Sequence, residues 1–252
     1  MDVTTLVMEE CKVDSFSRNA AEIVERLKGI EERCDFAGRE VGALAETRGK
    51  LERLPLFSAP AGVMYGKFSW LHGYDVLTCY AAHPELTPPS SVAAIAAHGP
   101  AAASQVLWRF SQYYEDPQIL RLTAGDLLLH MSEQMERCRA VPAALETAGP
   151  RLTVYSGHDT TLMPLLKALG IWDGAWPGYA AEVRLELWQL PEGSRHEFAV
   201  RAVIGSRVLP LLPGKSEDGD GLSLCCSLAA FHLCANEVAS GVGTVHPVLK
   251  LS

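Results

Sequence analysis

The most constraining stretch of the 252-residue chain is the run VYSGHDTTLMPLLKALG at residues 154–170. An apolar segment over 151–155 leads into a short polar elbow. Apolar residues then recur at the spacing of one helix face, namely Leu162, Leu165, Leu166 and Leu169. Gly170 follows, where helices often end with a left-handed residue. The pattern predicts a strand over 151–155, a tight elbow, and a helix that ends at Gly170.

Two interpretations fit the polar side chains of this elbow, which are Ser156, His158, Asp159, Thr160 and Thr161. In the first they cap the helix, because side-chain oxygens satisfy the N–H groups of the first turn, and Asp159 is an ionised cap. In the second they form an anion site at the end of a strand and the start of a helix. His158 then donates a hydrogen bond to a phosphate oxygen, and Asp159 protonates a departing alcohol. Spacing alone leaves both interpretations open.

The rest of the sequence predicts helices in the first half and a β-hairpin in the second. Helices are expected over 19–34, where Asn19 and Glu22 have capping-box spacing, over 104–114 and over 125–138, and an apolar periodic run covers 69–83. Alternating apolar residues in EVRLELWQL (182–190) and HEFAVRAVIGS (196–206) flank a PEGSR turn, which is typical of a hairpin. The pattern indicates an α/β or α+β fold without choosing between them.

Charge and composition disfavour several classes of function. The formal net charge is −8 and the basic residues are scattered, so neither nucleic acid nor an anionic membrane is an expected partner. No apolar run is long enough for a transmembrane helix, and no signal-peptide pattern is visible. Neither a CxxC pair nor an HExxH motif occurs, so neither metal nor cofactor is expected. The seven cysteines, with Cys225 and Cys226 adjacent, do not suggest a disulfide framework and leave the compartment open.

Several segments resemble one family when they are taken together. YSGHDTTLMPLLKALGI (155–171) is similar to the C-terminal His-Asp motif of the histidine acid phosphatases, a branch of the phosphoglycerate mutase-like superfamily. Further segments resemble the same family in the same order, particularly its lysophosphatidic acid phosphatase type 6-like members: SWLHGYDVLTCYAAH, LRLTAGDLLLHM, WPGYAAEVRLELWQL, and RVLPLLPG followed by CSLAAF. The resemblance covers about residues 65–235.

The resemblance implies an α/β, phosphoglycerate mutase-like core that is incomplete in this chain, with a helical cap subdomain. It assigns residues 1–100 to a mostly helical, cap-like portion and residues 101–252 to the C-terminal part of the core. It also implies metal-independent hydrolysis of small phosphate monoesters, such as a lysophospholipid, through a phosphohistidine. By motif position His158 binds phosphate, Asp159 is the general acid, and Thr160 is a further candidate for binding substrate.

The family's nucleophile lies in an Arg-His-Gly-x-Arg-x-Pro segment, and these 252 residues contain no such segment. His98, in AAHGPAA, has no arginine before it and follows the cap-like region, so we interpret it as a loop histidine. Arg18 is a poor match for the family's second phosphate-binding arginine. We therefore expect the chain to be the C-terminal part of such an enzyme, truncated or a remnant, and to be catalytically incomplete alone.

Two other functions compete with this one. A non-catalytic pseudophosphatase or interaction module would retain the phosphate-binding elbow without catalysis. A hydrolase with Ser156 as nucleophile is disfavoured, because YSGHD lacks G-x-S-x-G spacing and Ser156 lies too near His158 in sequence to pair with it easily. The tryptophans near the elbow and hairpin are interpreted as packing residues: Trp172, Trp176 and Trp188.

Overall fold

The computed structural model describes residues 20–54, 68–86, 89–140, 152–212 and 224–242. The chain divides into two compact units, one formed by residues 1–25 with 114–252 and the other by residues 26–113. We refer to the first as the elbow unit, because it contains His158 and Asp159, and to the second as the helical unit. The described residues combine helices with an antiparallel sheet, which confirms the mixed helix-and-sheet class expected from the sequence.

The helical unit is built from helices that enclose an aromatic cluster. Its helices are α1 (Ala20–Arg33), whose first turns belong to the elbow unit, α2 (Ala43–Glu52), α3 (Trp70–Ala82) and α4 (Pro89–Tyr113). Phe36 is buried, and its ring centroid lies 4.7 Å from that of Trp108 and 5.6 Å from that of Tyr113. Aromatic rings in these tilted contacts hold the turn after α1 against α4.

A carboxylate organises the polar contacts of the helical unit. Glu40 is largely buried and accepts hydrogen bonds from Arg48 at 2.6 Å and from the indole N–H of Trp70 at 2.8 Å. Arg109 of α4 donates to the same carboxylate. Because Glu40 lies in the turn before α2, these bonds connect that turn to α2, α3 and α4, and they compensate the burial of its charge.

In the elbow unit, helices pack around a short π-helical turn. The described helices are α5 (Pro117–Leu120), the π turn (Arg121–Gly125), α6 (Asp126–Ala140), α7 (Asp159–Ala168) and α8 (Leu228–Ser240). The π turn approaches α8 so closely that a Cβ on Gly125 would lie 3.0 Å from the Cα of Ala239. Glycine is therefore required by this contact. The face of α8 that is buried repeats at helical spacing: Phe231, Cys234, Ala235 and Val238.

Four antiparallel strands complete the elbow unit, namely β1 (Arg184–Gln189), β2 (Phe198–Ile204), β3 (Arg207–Leu209) and β4 (Cys225–Ser227). β2 is central, since β1 pairs along one of its edges while β3 and β4 pair with different parts of the other. On one face Val200 and Ala202 of β2 are fully buried, and Cys226 and Leu209 are their buried partners on β4 and β3. This face forms part of the apolar core.

The local predictions from periodicity are largely confirmed. Helices cover most of 19–34 and 125–138, and residues 104–113 belong to the longer helix α4, although Asn19 lies outside the described residues. The apolar periodic run over 69–83 is also largely helical. β1 and β2 form the predicted hairpin, with Leu185 opposite Ala202 and Leu187 opposite Val200. These elements follow from side-chain patterns that each segment carries within itself.

The strand predicted at 151–155 is wrong for the described residues 152–155, which belong to no strand. Leu152 is 63% exposed and Val154 57% exposed. An apolar alternating segment forms a strand only where a neighbour accepts and donates its backbone hydrogen bonds. Among the described strands none pairs with this segment.

The interpretation of His98 as a loop residue is also wrong. α4 runs without interruption from Pro89 to Tyr113, so His98 lies inside a helix that continues through Pro100. The surrounding sequence AAIAAHGPAAA is rich in alanine, the strongest helix former, which offsets the cost of one interior proline. The helix therefore continues across position 100, where the predicted boundary between the two portions lies. The assignment of 1–100 to a cap-like portion and 101–252 to a core stays a prediction.

α7 is the most enclosed helix of the elbow unit, and every side chain from Met163 to Ala168 is buried. It ends as predicted, since Gly170 has φ +71°. The N–H of Gly170 donates to the carbonyl of Lys167 at 3.1 Å, and that of Ile171 donates to the carbonyl of Leu166 at 2.9 Å. This pair of bonds is a Schellman motif. The side chain of Lys167 is 0% exposed, and its Nζ lies 2.6 Å from the half-exposed carboxylate of Glu115.

We expect removal of the partner of Lys167 to destabilise the fold more than removal of Lys167 itself. Glu115→Gln leaves a buried ammonium without its counter-charge and should lower the free energy of unfolding by about 2 kcal/mol, whereas Lys167→Met replaces the pair with apolar volume and should cost less. Urea unfolding of both variants measures the difference. Glu46→Gln, which breaks the exposed pair with Lys50, is the control and should leave the midpoint unchanged. Equal losses for the two test variants would contradict the expectation.

The buried Cys226 of the elbow unit should react more slowly with an alkylating agent than the exposed cysteines of the chain. Burial, with Cys234 nearby, raises the pKa of the Cys226 thiol to about 12. Only the thiolate form of a cysteine reacts, and at pH 8 a pKa of about 12 leaves roughly one Cys226 side chain in ten thousand as thiolate. Iodoacetamide at pH 8 should modify the exposed Cys79 and Cys138 and spare Cys226, as read by peptide mass spectrometry. Alkylation in urea is the control, and equal rates in the folded chain would refute the assignment.

Candidate functional site

The elbow turns tightly into α7. His158 is the N-cap residue, with φ −106° and ψ 169°, and its N–H donates to the Thr161 hydroxyl at 3.3 Å. A Cβ on Gly157 would lie 3.1 Å from the Cβ of Thr161, so a larger residue at 157 would force the turn apart. His158 is exposed to solvent at the start of the helix. The sequence therefore places an accessible imidazole at the positive end of α7.

Asp159 is the first residue of α7 and is half-buried. The backbone N–H of Thr160 donates to its Oδ1 at 2.7 Å. The indole N–H of Trp176 donates to its Oδ2 at 2.8 Å. Among the described residues Asp159 has no ion pair, so its charge is stabilised by neutral donors and by the helix start alone.

The predicted cap is present in part, and the predicted anion site stays a prediction. Asp159 is not the N-cap residue, because His158 occupies that position. The N–H groups of Thr161 and Leu162 donate to the carbonyl of His158, and that of Thr160 donates to Asp159. Of the backbone N–H groups at positions 159–162, that of Asp159 makes no hydrogen bond among the described residues. An anion at this helix start would therefore meet one free N–H of these four rather than a row of them.

The loop after α7 brings Trp176 to the elbow. Trp172 is buried, and its indole N–H donates to the carbonyl of Ala175 at 2.9 Å. The N–H of Ala175 donates to the carboxylate of Asp173 at 2.9 Å, and Gly174 between them has φ +79°. Such a turn with a left-handed glycine reverses the chain, so the loop returns towards the start of α7.

Trp176 is the site residue that the sequence analysis missed. It is half-buried and contacts Asp159, which lies 17 residues earlier in the sequence. The packing role expected for the tryptophans is seen for Trp172, which is buried. Trp188 is 49% exposed and donates to Glu186 at 3.0 Å instead. The sequence Trp-Pro-Gly at 176–178 does not by itself indicate that the indole binds a carboxylate. The hydrogen bond to Asp159 depends on the path of the loop, which local sequence does not show.

Other candidate residues lie away from this arrangement or have structural contacts. Thr160 is half-buried, and its backbone contributes through the bond to Asp159. Ser156 is exposed. His130 of α6 packs the edge of its ring on Tyr155, with centroids 5.9 Å apart, three residues before His158. This contact supports the segment that leads into the elbow.

A cavity in the helical unit is poorly suited to a phosphate ester. It has a volume of about 810 Å³ and is lined by residues that include five acids and three bases. The acids are Glu31, Glu32, Asp35, Glu40 and Glu52, and the bases are Lys28, Arg48 and Arg109. Because carboxylates outnumber cations, the cavity repels a phosphate dianion. None of its lining residues belongs to the elbow.

No metal cluster or membrane span is found in the described part of the chain. No group of three or more His, Cys, Asp or Glu side chains in it is arranged to hold a metal ion. None of its helices is long and apolar enough to cross a bilayer.

Comparison with known proteins gives a consistent result. Residues 103–204 match the family model of the histidine phosphatase superfamily (branch 2). The chain is 38% identical over 76 residues to lysophosphatidic acid phosphatase type 6 of Bos taurus, covering 30% of this chain and 18% of that protein. It is 47% identical over 68 residues to 2-phosphoxylose phosphatase 1 of Rattus norvegicus, covering 27% and 13%. It is 32% identical over 122 residues to lysosomal acid phosphatase of Rattus norvegicus, covering 48% and 27%.

The matched region contains the elbow, α7, β1 and β2, and the resemblance read from the sequence is confirmed. Each match spans less than a third of the relative concerned. Residues 103–204 are therefore similar to the histidine phosphatase superfamily, branch 2, and parts of the chain are similar to acid phosphatases.

Proposed function

We propose that this chain supplies the phosphate-binding and proton-donating side of a phosphomonoesterase. One observation carries the proposal. An exposed imidazole, His158, and an anchored carboxyl group, Asp159, stand together at the start of α7, inside the segment that matches the phosphatase family. The pairing suits an ester of phosphate, because one group can bind a phosphate oxygen while the other protonates the oxygen of the alcohol.

The proposed reaction is metal-independent hydrolysis of a phosphate monoester through a phosphohistidine. A histidine attacks phosphorus, the bond to the alcohol oxygen breaks, and that oxygen takes the proton of Asp159. Water then attacks the phosphohistidine, gives a proton back to Asp159, and releases orthophosphate. Bound phosphate favours the protonated carboxyl group through charge repulsion, which prepares Asp159 for the first step. The role proposed for Thr160 is limited to holding this carboxyl through its backbone N–H.

The attacking histidine is not identified among these 252 residues, which contain no Arg-His-Gly-x-Arg-x-Pro segment. The one His-Gly pair in an alanine-rich context, at His98, lies inside α4 and in the helical unit. We therefore propose that the chain on its own binds phosphate and does not hydrolyse esters.

The proposed substrate class is a small phosphate monoester. The names of the relatives mention a lysophosphatidic acid and a phosphorylated xylose, whose shared group is the phosphate ester. A lysophospholipid is one candidate within that class. In this proposal His158 and Asp159 contact only the phosphate group and the ester oxygen. Their roles are therefore compatible with phosphate esters of several different alcohols.

Orthophosphate binding tests the assignment of His158. Calorimetric titration of the 252-residue chain with inorganic phosphate at pH 6 should show one site, and His158→Ala should weaken it about tenfold, because a charged hydrogen bond is lost. Asp159→Asn should tighten binding, since a negative charge beside the anion is removed. His98→Ala is the matched control and should bind as the unaltered chain does. Absence of binding, or equal affinity with and without His158, would sink the proposal.

Leaving-group dependence tests the assignment of Asp159 and separates an enzyme from a pseudophosphatase. In a longer chain that contains a nucleophile segment, Asp159→Asn should slow hydrolysis of an alkyl phosphate by roughly 10²–10⁴-fold and that of p-nitrophenyl phosphate much less. A poor alcohol leaving group needs the proton, whereas p-nitrophenolate does not. Equal slowing of both esters would exclude Asp159 as the acid. Phosphate binding without any turnover in such a chain would favour the pseudophosphatase.

A further inference from the structure

The contact between Trp176 and Asp159 differs from the other indole–carboxylate contacts of the described chain. Trp188 donates to Glu186, but the same carboxylate also pairs with Arg201 at 2.5 Å. Trp70 donates to Glu40, which also binds two arginines. In both clusters guanidinium groups carry most of the charge compensation.

At Asp159 the two donors are neutral, and each binds a different oxygen. The N–H of Thr160 holds Oδ1 and the indole of Trp176 holds Oδ2. Two bonds to two oxygens fix the plane of the carboxylate, while each oxygen keeps a further lone pair for a proton. The Thr160 N–H belongs to α7 itself, whereas the Trp176 indole lies outside the helix. The indole therefore limits rotation of the Asp159 carboxylate relative to the rest of the elbow unit.

The charged surroundings of Asp159 are sparse. His158, next to it, is the adjacent titratable group and is exposed. Asp173, on the loop that carries Trp176, is exposed and accepts a hydrogen bond from Ala175. Among the described residues neither these groups nor any cation forms an ion pair with Asp159. The orientation of the carboxyl group therefore depends strongly on the indole N–H.

We propose that Trp176 is a positioning residue for Asp159, because its indole N–H holds one oxygen of the carboxylate and so keeps the group in one plane. The inference rests on the proposed function only where it concerns phosphate binding, and the contact between the indole and the carboxylate does not depend on that function. The loop from Trp172 to Trp176 is itself anchored, through the bond of Trp172 to Ala175 and the edge-on packing of Trp172 on Tyr114 with centroids 6.1 Å apart. The position of the acid is thus determined by a segment outside the His-Asp motif.

The first test reads the contact without any ligand. In a ¹H–¹⁵N spectrum of the full chain, the indole signal of Trp176 should move as the pH is lowered from 7 to 3, because protonation of Asp159 weakens the bond. Asp159→Asn should abolish this movement and leave the signal of Trp188 unaffected. Glu186→Gln is the matched control and should alter Trp188 alone. A Trp176 signal that is identical in the unaltered chain and in Asp159→Asn at every pH would overturn the proposal.

The second test uses Trp176→Phe, which keeps an aromatic ring and removes the N–H. Because the change removes one of the two hydrogen bonds to the Asp159 carboxylate, the pH profile of orthophosphate affinity should differ from that of the unaltered chain. Trp188→Phe should leave the profile in place. Coincident profiles for Trp176→Phe and the unaltered chain would refute the inference. If Trp176→Phe does not fold, the first test decides, since it alters no tryptophan.

The two proposals fail in different ways. A Trp176 signal that follows Asp159 in a chain that binds no orthophosphate would uphold the positioning role and refute the proposed function. Orthophosphate binding that depends on His158, with a pH profile indifferent to the indole N–H, would uphold the function and refute the role of Trp176.

Discussion

Burial of α7 is the constraint on which the elbow depends. Its second half is enclosed on all sides, even Lys167 is fully buried, and the helix ends in a Schellman motif at Gly170. A helix held in this way cannot rotate or slide without exposing apolar surface. Its first residues therefore have a defined position, and His158 and Asp159 inherit that position although they are themselves accessible or half-accessible.

Glu40 and Asp159 have different hydrogen-bond donors, and the difference bears on the proposed function. In the helical unit Glu40 is largely buried and compensated by arginines, which suits a permanent structural charge. In the elbow unit Asp159 has only neutral donors among the described residues. A carboxyl group that is not held in an ion pair suits the role proposed for Asp159, which is to give up a proton in one step and take one back in the next.

The proposed function assigns the elbow one half of a reaction. Binding a phosphate oxygen and protonating an alcohol require a small, well-oriented site, and the tight turn at Gly157 with the anchored loop at Trp172 provides the orientation. Attack on phosphorus requires a separate nucleophile. Mutations that loosen the loop should therefore affect the proposed proton transfer before the proposed phosphate binding, because the loop holds Asp159 through Trp176 whereas His158 lies at the N-cap.

The sequence by itself determined the features that arise from neighbouring residues. The period of the apolar residues determined α7 and its end at Gly170, and the alternation on either side of PEGSR determined the hairpin. The resemblance of the His-Asp motif pointed to the start of α7, and a helix start is a local feature. These properties depend on backbone hydrogen bonds and side-chain directions within a few residues.

Only the tertiary structure decided the rest. The described residues 152–155 belong to no strand, and α4 continues through Pro100. The bond from Trp176 to Asp159 and the burial of Lys167 beside Glu115 join residues far apart in sequence. Such contacts depend on the path of a loop and on the packing of several elements at once, and no local pattern of residues records that path.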